Sequence, residues 1–220
     1  MFDRIRLINV PAVLVHEIRT AISSSWGQIQ DERLYYSTYE FKLSGYPWIG
    51  TSDEAVRSRK LLTELLVCMA QKGWNLVQAS DVSKRAGDKD TLFFELSIVI
   101  PSYRPSLFSI SFNKTDRIRV IDSPSLDLIE TVKSGIKQEW RQGIAHEINY
   151  YGSVEFKLNG NPFWADGQEA VTARIMLAQI LSNLRNIGYK LYGSVDISHG
   201  HNDGHDLESW VFRKVDESWP

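Results

Sequence analysis

The sequence predicts an α+β fold produced by tandem duplication of a β-α-β-α-β-β unit. We expect two-layer antiparallel or mixed sheets with the helices on one face, in a pseudo-twofold arrangement. Three repeated patterns support this fold class. The stretch EFKLSGYPW from Glu40 returns as EFKLNGNPFW from Glu155, and DRIRLIN from Asp3 returns as DRIRVID from Asp116. The third pattern is a stripe of apolar residues at every fourth position, which is present in both halves.

Each unit is predicted to begin with a short strand, because apolar residues alternate with arginines in DRIRLIN and DRIRVID. The apolar stripe then predicts an amphipathic helix whose tryptophans lie in the core. Its members are Leu14, Ile18, Ile22 and Trp26, with the counterparts Leu128, Val132, Ile136 and Trp140. A strand over residues 34–43 or 148–158 follows. This strand ends at the Gly-x-Pro corner, since proline stops ladder pairing.

A second helix in each unit is predicted to end at Gly73 or Gly188, because glycine permits a left-handed helix end. Its apolar positions define an inner face. They are Val56, Leu62, Leu66 and Met69 in the first unit, and Val171, Leu177, Leu181 and Leu184 in the second. Two strands close each unit, over residues 75–82 and 91–100 in the first half and 190–197 and 209–214 in the second.

The repeat divides the chain into two domains, residues 1–113 and 114–220. The first domain is expected to end with a strand over residues 107–112 that has no counterpart in the second. The second sheet then has a different edge, and unprotected edges invite pairing. Either two copies pair there as a homodimer or the 216–220 tail covers the edge.

Composition excludes several functional classes. The net charge of -2 gives no support for nucleic-acid or membrane-surface binding, which usually shows a basic excess. No apolar run reaches the ~18 residues of a transmembrane segment. The N-terminus lacks an apolar signal region. The one cysteine, Cys68, excludes an intramolecular disulfide and favours a cytoplasmic or nuclear setting.

Sequence signatures of catalysis are missing. The chain has no Gly-rich phosphate-binding loop and no Gly-x-Ser-x-Gly nucleophile elbow. No histidine recurs between the halves, so no repeated general base is predicted. We expect no cofactor and no catalytic residue, and an enzyme is the least favoured of the interpretations.

The most informative repeated polar residue is Arg59, which is matched by Arg174. Its position on the second helix places it on the inner face or its margin, where a charge needs a partner. A structural salt bridge is the favoured interpretation, with Glu40/Glu155 or Asp81/Asp196 as partners. The alternative is an arginine that offers its charge to a small anion or a phosphorylated headgroup near the helix N-terminus.

A second candidate site is the loop HGHNDGHD, which starts at His199. The imidazoles of His199, His201 and His205 are suitable ligands for zinc, nickel or copper. The equivalent loop of the first half contains no histidine. A solvated hairpin tip is therefore the favoured interpretation, and a metal site is the alternative.

The repeated corner and the strand before it supply the remaining candidate contacts. Aromatic residues are enriched at interaction surfaces, and these positions are not all required by the predicted core. The candidates are Trp48, Trp164, Tyr36 and Tyr151, with the charged residues Glu40, Glu155, Lys42 and Lys157. The Gly-x-Pro corners and the groove between the halves are the expected binding surfaces.

The strings EFKLxGxPW, GWNLV, DVS and DKDTLFF resemble a segment of an uncharacterised eukaryotic, fungal-type family. The resemblance covers residues 36–95 and, more weakly, 151–213, and it departs at the His-rich loop. It implies no activity and no catalytic residue. We therefore predict a non-enzymatic intracellular binding or scaffolding protein with a protein or peptide partner, and small-anion binding through Arg59 and Arg174 is the alternative.

Overall fold

The computed structural model describes residues 2–49, 51–83, 89–197 and 208–220. The first half contains β1 (Arg4–Leu7), α1 (Ala12–Ser25), β2 (Ile29–Tyr35), β3 (Thr38–Leu43), α2 (Asp53–Gln71), β4 (Trp74–Ser80) and β5 (Thr91–Leu96). The remainder contains β6 (Leu107–Asn113), β7 (Arg117–Ile121), α3 (Leu126–Glu139), β8 (Ile144–Tyr150), β9 (Ser153–Leu158), α4 (Gly167–Asn186), β10 (Tyr189–Val195) and β11 (Ser209–Lys214). Every strand pair is antiparallel, so the predicted α+β class is confirmed.

The chain forms two compact units. Met1–Pro105 is the body of the first, and Ser106–Val195 together with Asp206–Asp216 makes up most of the second. The second unit has one six-stranded sheet in the order β10-β11-β6-β7-β9-β8. The first unit has two separate sheets, β1-β3-β2 and β4-β5. None of the helices in the described part has the length and hydropathy that a membrane span requires.

The predicted apolar stripes form the cores of both units. All eight residues, from Leu14 to Trp26 in α1 and from Leu128 to Trp140 in and after α3, are buried. In the second unit they pack with α4 against the β6, β7 and β9 side chains Phe108, Ile118 and Phe156. Gly73 and Gly188 end α2 and α4 with φ of 83° and 86°, which confirms the predicted left-handed helix ends.

A hairpin stands where the sequence suggested one strand before each corner. The 34–43 segment falls in β2 and β3, and the 148–158 segment falls in β8 and β9. The turns lie at Tyr36 and Tyr151, whose φ values are 52° and 50°. Each turn falls at two adjacent tyrosines, Tyr35–Tyr36 and Tyr150–Tyr151, and tyrosine is common in strands, so the hydrophobic pattern did not mark the turns.

The last strand of the predicted first domain belongs to the second sheet. β6 pairs with β11 on one side and β7 on the other, and the second unit begins at Ser106. The predicted boundary at 113/114 therefore differs from the structural division. β6 is separated from β7 by a three-residue turn, which favours antiparallel pairing of neighbours along the chain.

The inner face of α4 also differs from the prediction. The buried side chains are Ala173, Met176, Ile180 and Leu184, while Leu177 and Leu181 pack at the margin. Val171, which was assigned to the core, is exposed, and so is Ile175 one turn later. The inner face of α2 is as predicted.

The contact between α3 and α4 yields a prediction at Gly135. A Cβ atom there would lie 2.9 Å from Cγ1 of Ile180 and 3.0 Å from its Cα. Because the backbone of α4 cannot yield cheaply, Gly135→Val should lower the free energy of unfolding by about 2–3 kcal/mol in urea titrations. The exposed neighbour provides the control: Ser134→Val should cost less than about 1 kcal/mol. Equal losses for the two variants would show that α3 and α4 are not in close contact there.

Candidate functional site

A buried carboxylate surrounded by arginines occupies one face of the first sheet. Strand register places Arg6 of β1 and Arg33 of β2 directly opposite Glu40 of β3, which is fully buried. Arg6 Nε donates to Glu40 Oε2 at 2.6 Å, and Arg33 Nη2 lies 2.8 Å from Oε1. Arg4 also donates to Oε1. We call Arg4, Arg6, Arg33 and Glu40 the first arginine cluster.

The first arginine cluster carries excess positive charge, since three guanidinium groups face Glu40 and one further carboxylate, that of Asp3, lies near them at 3.7 Å from Arg4 Nε. Burial alone would raise the pKa of the Glu40 carboxyl. The hydrogen bonds from Arg6, Arg33 and Arg4 outweigh burial and hold this pKa below its usual value of 4.5. Glu40 is therefore a fixed anion that joins three strands.

The second unit repeats the arrangement with fewer charges. Glu155 of β9 is buried and accepts from Arg117 Nη1 at 2.5 Å and Arg119 Nε at 2.6 Å. Ile148 of β8 lies opposite Glu155, at the position where Arg33 lies opposite Glu40 in the first unit. Arg119 Nη1 donates to Asn113 Oδ1 of β6 at 3.0 Å, so the strand that completes this sheet also contributes to the cluster.

Tyrosines cover both clusters from the hairpin turns. The Tyr35 ring lies 4.3 Å from the Arg6 guanidinium, and the Tyr150 ring lies 3.9 Å from that of Arg119. Tyr36 and Tyr151 pack edge-on against these rings at 4.8 Å and are themselves exposed. The predicted contact residues Tyr36 and Tyr151 are thus turn residues at positive φ, not strand residues.

The two corner tryptophans are not structural counterparts. Trp48 is buried and donates through Nε1 to the carbonyl of Arg4 at 3.0 Å. Its counterpart is Phe163, because the backbone N–H of Trp48 donates to Phe2 before β1, and that of Phe163 donates to the corresponding residue, Thr115, before β7. Phe163 packs on Phe112 at 5.3 Å. Trp164 aligns with Ile49, since each donates its backbone N–H to the carbonyl three residues earlier, and Trp164 is 78% exposed.

The aromatic candidates do not form one patch. Tyr151 precedes β9, whereas Trp164 follows it, and a six-residue strand spans about 20 Å. Trp164 instead lies shortly before α4, whose exposed Val171 and Ile175 are one turn apart. We call these three residues the Trp164 surface.

The charged candidates have unequal environments. Arg59 is buried in α2, whereas Arg174 is exposed on α4, although each donates to a backbone carbonyl of its own helix at 3.1 Å. Glu40 and Glu155, predicted partners of these arginines, are held by arginines of the strands. Lys42 and Lys157 are half-buried and lie opposite Arg4 and Arg117 in the register.

The remaining candidates offer little chemistry. His199, His201 and His205 lie outside the described residues, among which no cluster of His, Cys, Asp or Glu is arranged to hold a metal ion. Burial, followed by the charges of Glu17 and Glu64, raises the pKa of the Cys68 thiol to about 11. This thiol is therefore protonated near neutral pH and is a poor nucleophile.

No role was predicted for the arginines of the strands, although the sequence contains a pattern that indicates one. Arginine occurs twice at a spacing of two in both DRIRLIN and DRIRVID. Residues two apart on a strand share one face, and the repeated motif supplies a glutamate on a neighbouring strand. The strand register brings these arginines next to the glutamate, and the sequence alone does not determine that register.

A protein-family model matches the chain twice, over residues 1–95 and 106–213. The two matches together cover most of the chain, which therefore belongs to this family and carries its domain in duplicate. The second match begins immediately before β6. No curated protein and no solved structure gives a match.

The first arginine cluster yields a stability prediction. Glu40→Gln removes the buried carboxylate that is hydrogen-bonded to all three guanidinium groups and should lower the free energy of unfolding by about 3 kcal/mol at pH 7. Because the folded-state pKa of Glu40 is lowered, its contribution is present above pH ~4.5 and is lost as the pH falls through the folded value. In urea titrations at a series of pH values, acidification should therefore lower the free energy of unfolding less in Glu40→Gln than in the natural chain.

The partly exposed member of the same cluster supplies the control. Arg33→Ala should cost less than about 1 kcal/mol, because two arginines still neutralise Glu40 and the Arg33 side chain is partly solvated. If Glu40→Gln is as mild as Arg33→Ala, the cluster does not hold β1, β2 and β3 together.

Proposed function

We propose that this chain is a non-enzymatic binding or scaffolding protein that recognises a protein or peptide partner through the Trp164 surface. The observation that carries this proposal is the exposure of Trp164. Phe163 fills the core position that Trp48 fills in the first unit, so Trp164 has no role in packing the corner. A tryptophan without a packing role offers a large apolar area to a partner.

The neighbouring helix supports a larger contact area. Val171 and Ile175 add exposed apolar side chains at the first turns of α4. Apolar groups at a partner contact gain from removal from water, and tryptophan is the residue most enriched among those that dominate binding energy. The Trp164 surface thus has the composition of an interface centre.

The hairpin tyrosines support a second contact area in each unit. A non-glycine residue at positive φ costs of the order of 1 kcal/mol, and this cost recurs at Tyr36 and Tyr151. Both rings are exposed to solvent and pack on Tyr35 and Tyr150, whose rings lie over an arginine cluster. A partner that combines apolar and acidic side chains fits these tips.

Small-anion or phosphorylated-headgroup binding through Arg59 and Arg174 is the alternative. Arg174 is exposed near the N-terminus of α4, where a helix favours anions. The burial of Arg59 favours the partner-binding proposal, because the two arginines do not offer equivalent sites. The intracellular setting and the likeness to fungal-type proteins belong to the same proposal and rest on the lone cysteine and the sequence resemblance.

A capture experiment tests the Trp164 surface. The immobilised full chain is exposed to extract of its source cells, and retained proteins are quantified by mass spectrometry. Trp164→Ala should reduce retention of the specific partner by about 30-fold, because loss of a central tryptophan costs about 2 kcal/mol or more. Tyr103→Ala, which removes another exposed aromatic ring, should leave retention unchanged.

Two outcomes would contradict the proposal. One is equal retention of every bound protein by the natural chain and Trp164→Ala. The other is a rise in melting temperature with inositol hexakisphosphate that Arg174→Ala abolishes, which would favour the anion-binding alternative.

A further inference from the structure

The six-stranded sheet shows how the family domain is completed. β6 lies between β11 and β7 and pairs antiparallel with both. Every residue from Leu107 to Phe112 is buried. β6 therefore joins β10-β11 and β7-β9-β8 into one sheet.

In the described part of the first unit the same two strand groups are present, and no strand joins them. β4-β5 corresponds to β10-β11, and both pairs have a register irregularity at the equivalent place, Leu76/Gln78 and Leu191/Gly193. β1-β3-β2 corresponds to β7-β9-β8. Among the described residues, β1 pairs with β3 alone and β5 with β4 alone, so each is a sheet edge.

The missing strand changes the exposure of matched side chains. Ile121 at the end of β7 is 0% exposed, whereas its counterpart Ile8 is 60% exposed. Val211 of β11 is 0% exposed, whereas its counterpart Phe93 of β5 is 47% exposed. Apolar edge strands of this kind are templates for pairing with another chain.

We propose that the first unit binds an extended segment of a partner protein as a β-strand between β1 and β5, antiparallel to both, at the position that β6 occupies in the second unit. We call this the open strand position. Main-chain hydrogen bonds to two edges would hold the segment, and alternate side chains would select it. The open strand position shares no residue with the Trp164 surface and does not depend on it.

The internal repeat indicates the chemistry of the segment. In β6 the residues Phe108, Ile110 and Phe112 point into the helix-covered core, and Ser109 and Ser111 alternate with them. The segment should therefore carry large apolar residues at alternate positions, with small polar residues between.

Charge complementarity adds one requirement. Asn113 of β6 lies opposite Arg117 and accepts from Arg119. The counterparts of these arginines are Arg4 and Arg6, whose cluster has one more guanidinium group, that of Arg33, for the same number of carboxylates. An aspartate or glutamate at the position of Asn113 would therefore suit the first unit better than asparagine does.

A second copy of this chain meets these requirements poorly. A two-fold symmetric pairing joins like strands, so it would extend β5 or β1 but leave the other edge open. The β6 strand of a second copy already has both of its edges paired. A separate extended segment can satisfy both edges of the open strand position at once.

Peptide binding to the full chain tests the proposal. The probe is a fluorescein-labelled peptide of residues 106–114, SLFSISFNK, followed by fluorescence polarisation. We expect saturable binding, with slower amide hydrogen exchange in β1 and β5. The peptide with Asn113→Asp should bind about threefold more tightly, and added salt should reduce this gain.

Matched variants locate the binding. Phe93→Glu should weaken peptide binding by at least about tenfold, since it places a charge in an apolar contact. Ile8→Glu gives an independent variant on the other edge, and retained cooperative unfolding checks the fold of both. Ile175→Glu, at another position that is 47% exposed, should leave peptide binding unchanged, as should Trp164→Ala. The peptide with Ile110→Pro should not bind, because proline interrupts the ladder.

Several results would overturn the proposal. They are the absence of saturable binding, equal binding by Phe93→Glu and the natural chain, and exchange protection outside β1 and β5. Sedimentation that shows concentration-dependent dimerisation, abolished by Phe93→Glu, would also overturn it. The open strand position would then bind a second copy of the chain and not a partner segment. A failed capture through Trp164 would not change any of these readouts, so the two proposals fail separately.

Discussion

Pairing on both edges of β6 is the constraint on which the second sheet depends. This strand converts two groups of strands into one six-stranded sheet and buries Ile121 of β7 and Val211 of β11, whose counterparts Ile8 and Phe93 stay exposed in the first unit. The helices that cover the two units are built from matching apolar stripes, so the difference between the units lies in strand pairing. Among the described residues, the edges of β1 and β5 are therefore available in the first unit, whereas those of β7 and β11 are paired in the second.

The arginine clusters allow the first unit to fold with its sheet in two parts. Glu40 is bonded by side chains from β1 and β2 and lies on β3, so one buried carboxylate ties the three-stranded sheet together without β6. In the second unit Asn113 of β6 assists Arg119, and only two arginines face Glu155. The additional arginine of the first unit, Arg33, lies on β2 and strengthens the connection between β2 and β3.

Much of the fold could be predicted from the sequence, because helix stripes and repeated strings depend on local periodicity. Leu14 and Leu128 were correctly placed in the core for this reason.

The features that were predicted incorrectly depend on choices that periodicity leaves open. Packing against α3 decides which face of α4 is buried, and Val171 lies at the margin of that face. Periodicity also leaves open whether β6 pairs with β5 or with β7. The tryptophan of the corner motif stands one position later in the second copy, so Trp164 was equated with Trp48 although the counterpart of Trp48 is Phe163. The pairing of Arg6 with Glu40 required the strand register.

The most direct test of the open strand position is residue-resolved amide hydrogen exchange of the full-length chain alone. Amides of β1 and β5 that point away from β3 and β4 should exchange on the order of 100-fold faster than amides of the same strands that point toward them. In β7 and β11 the amides that point to either side of the strand should be protected, because β6 pairs with the edge that is open in β1 and β5. Equal protection of both sets in β1 and β5 would contradict an open edge in the first unit.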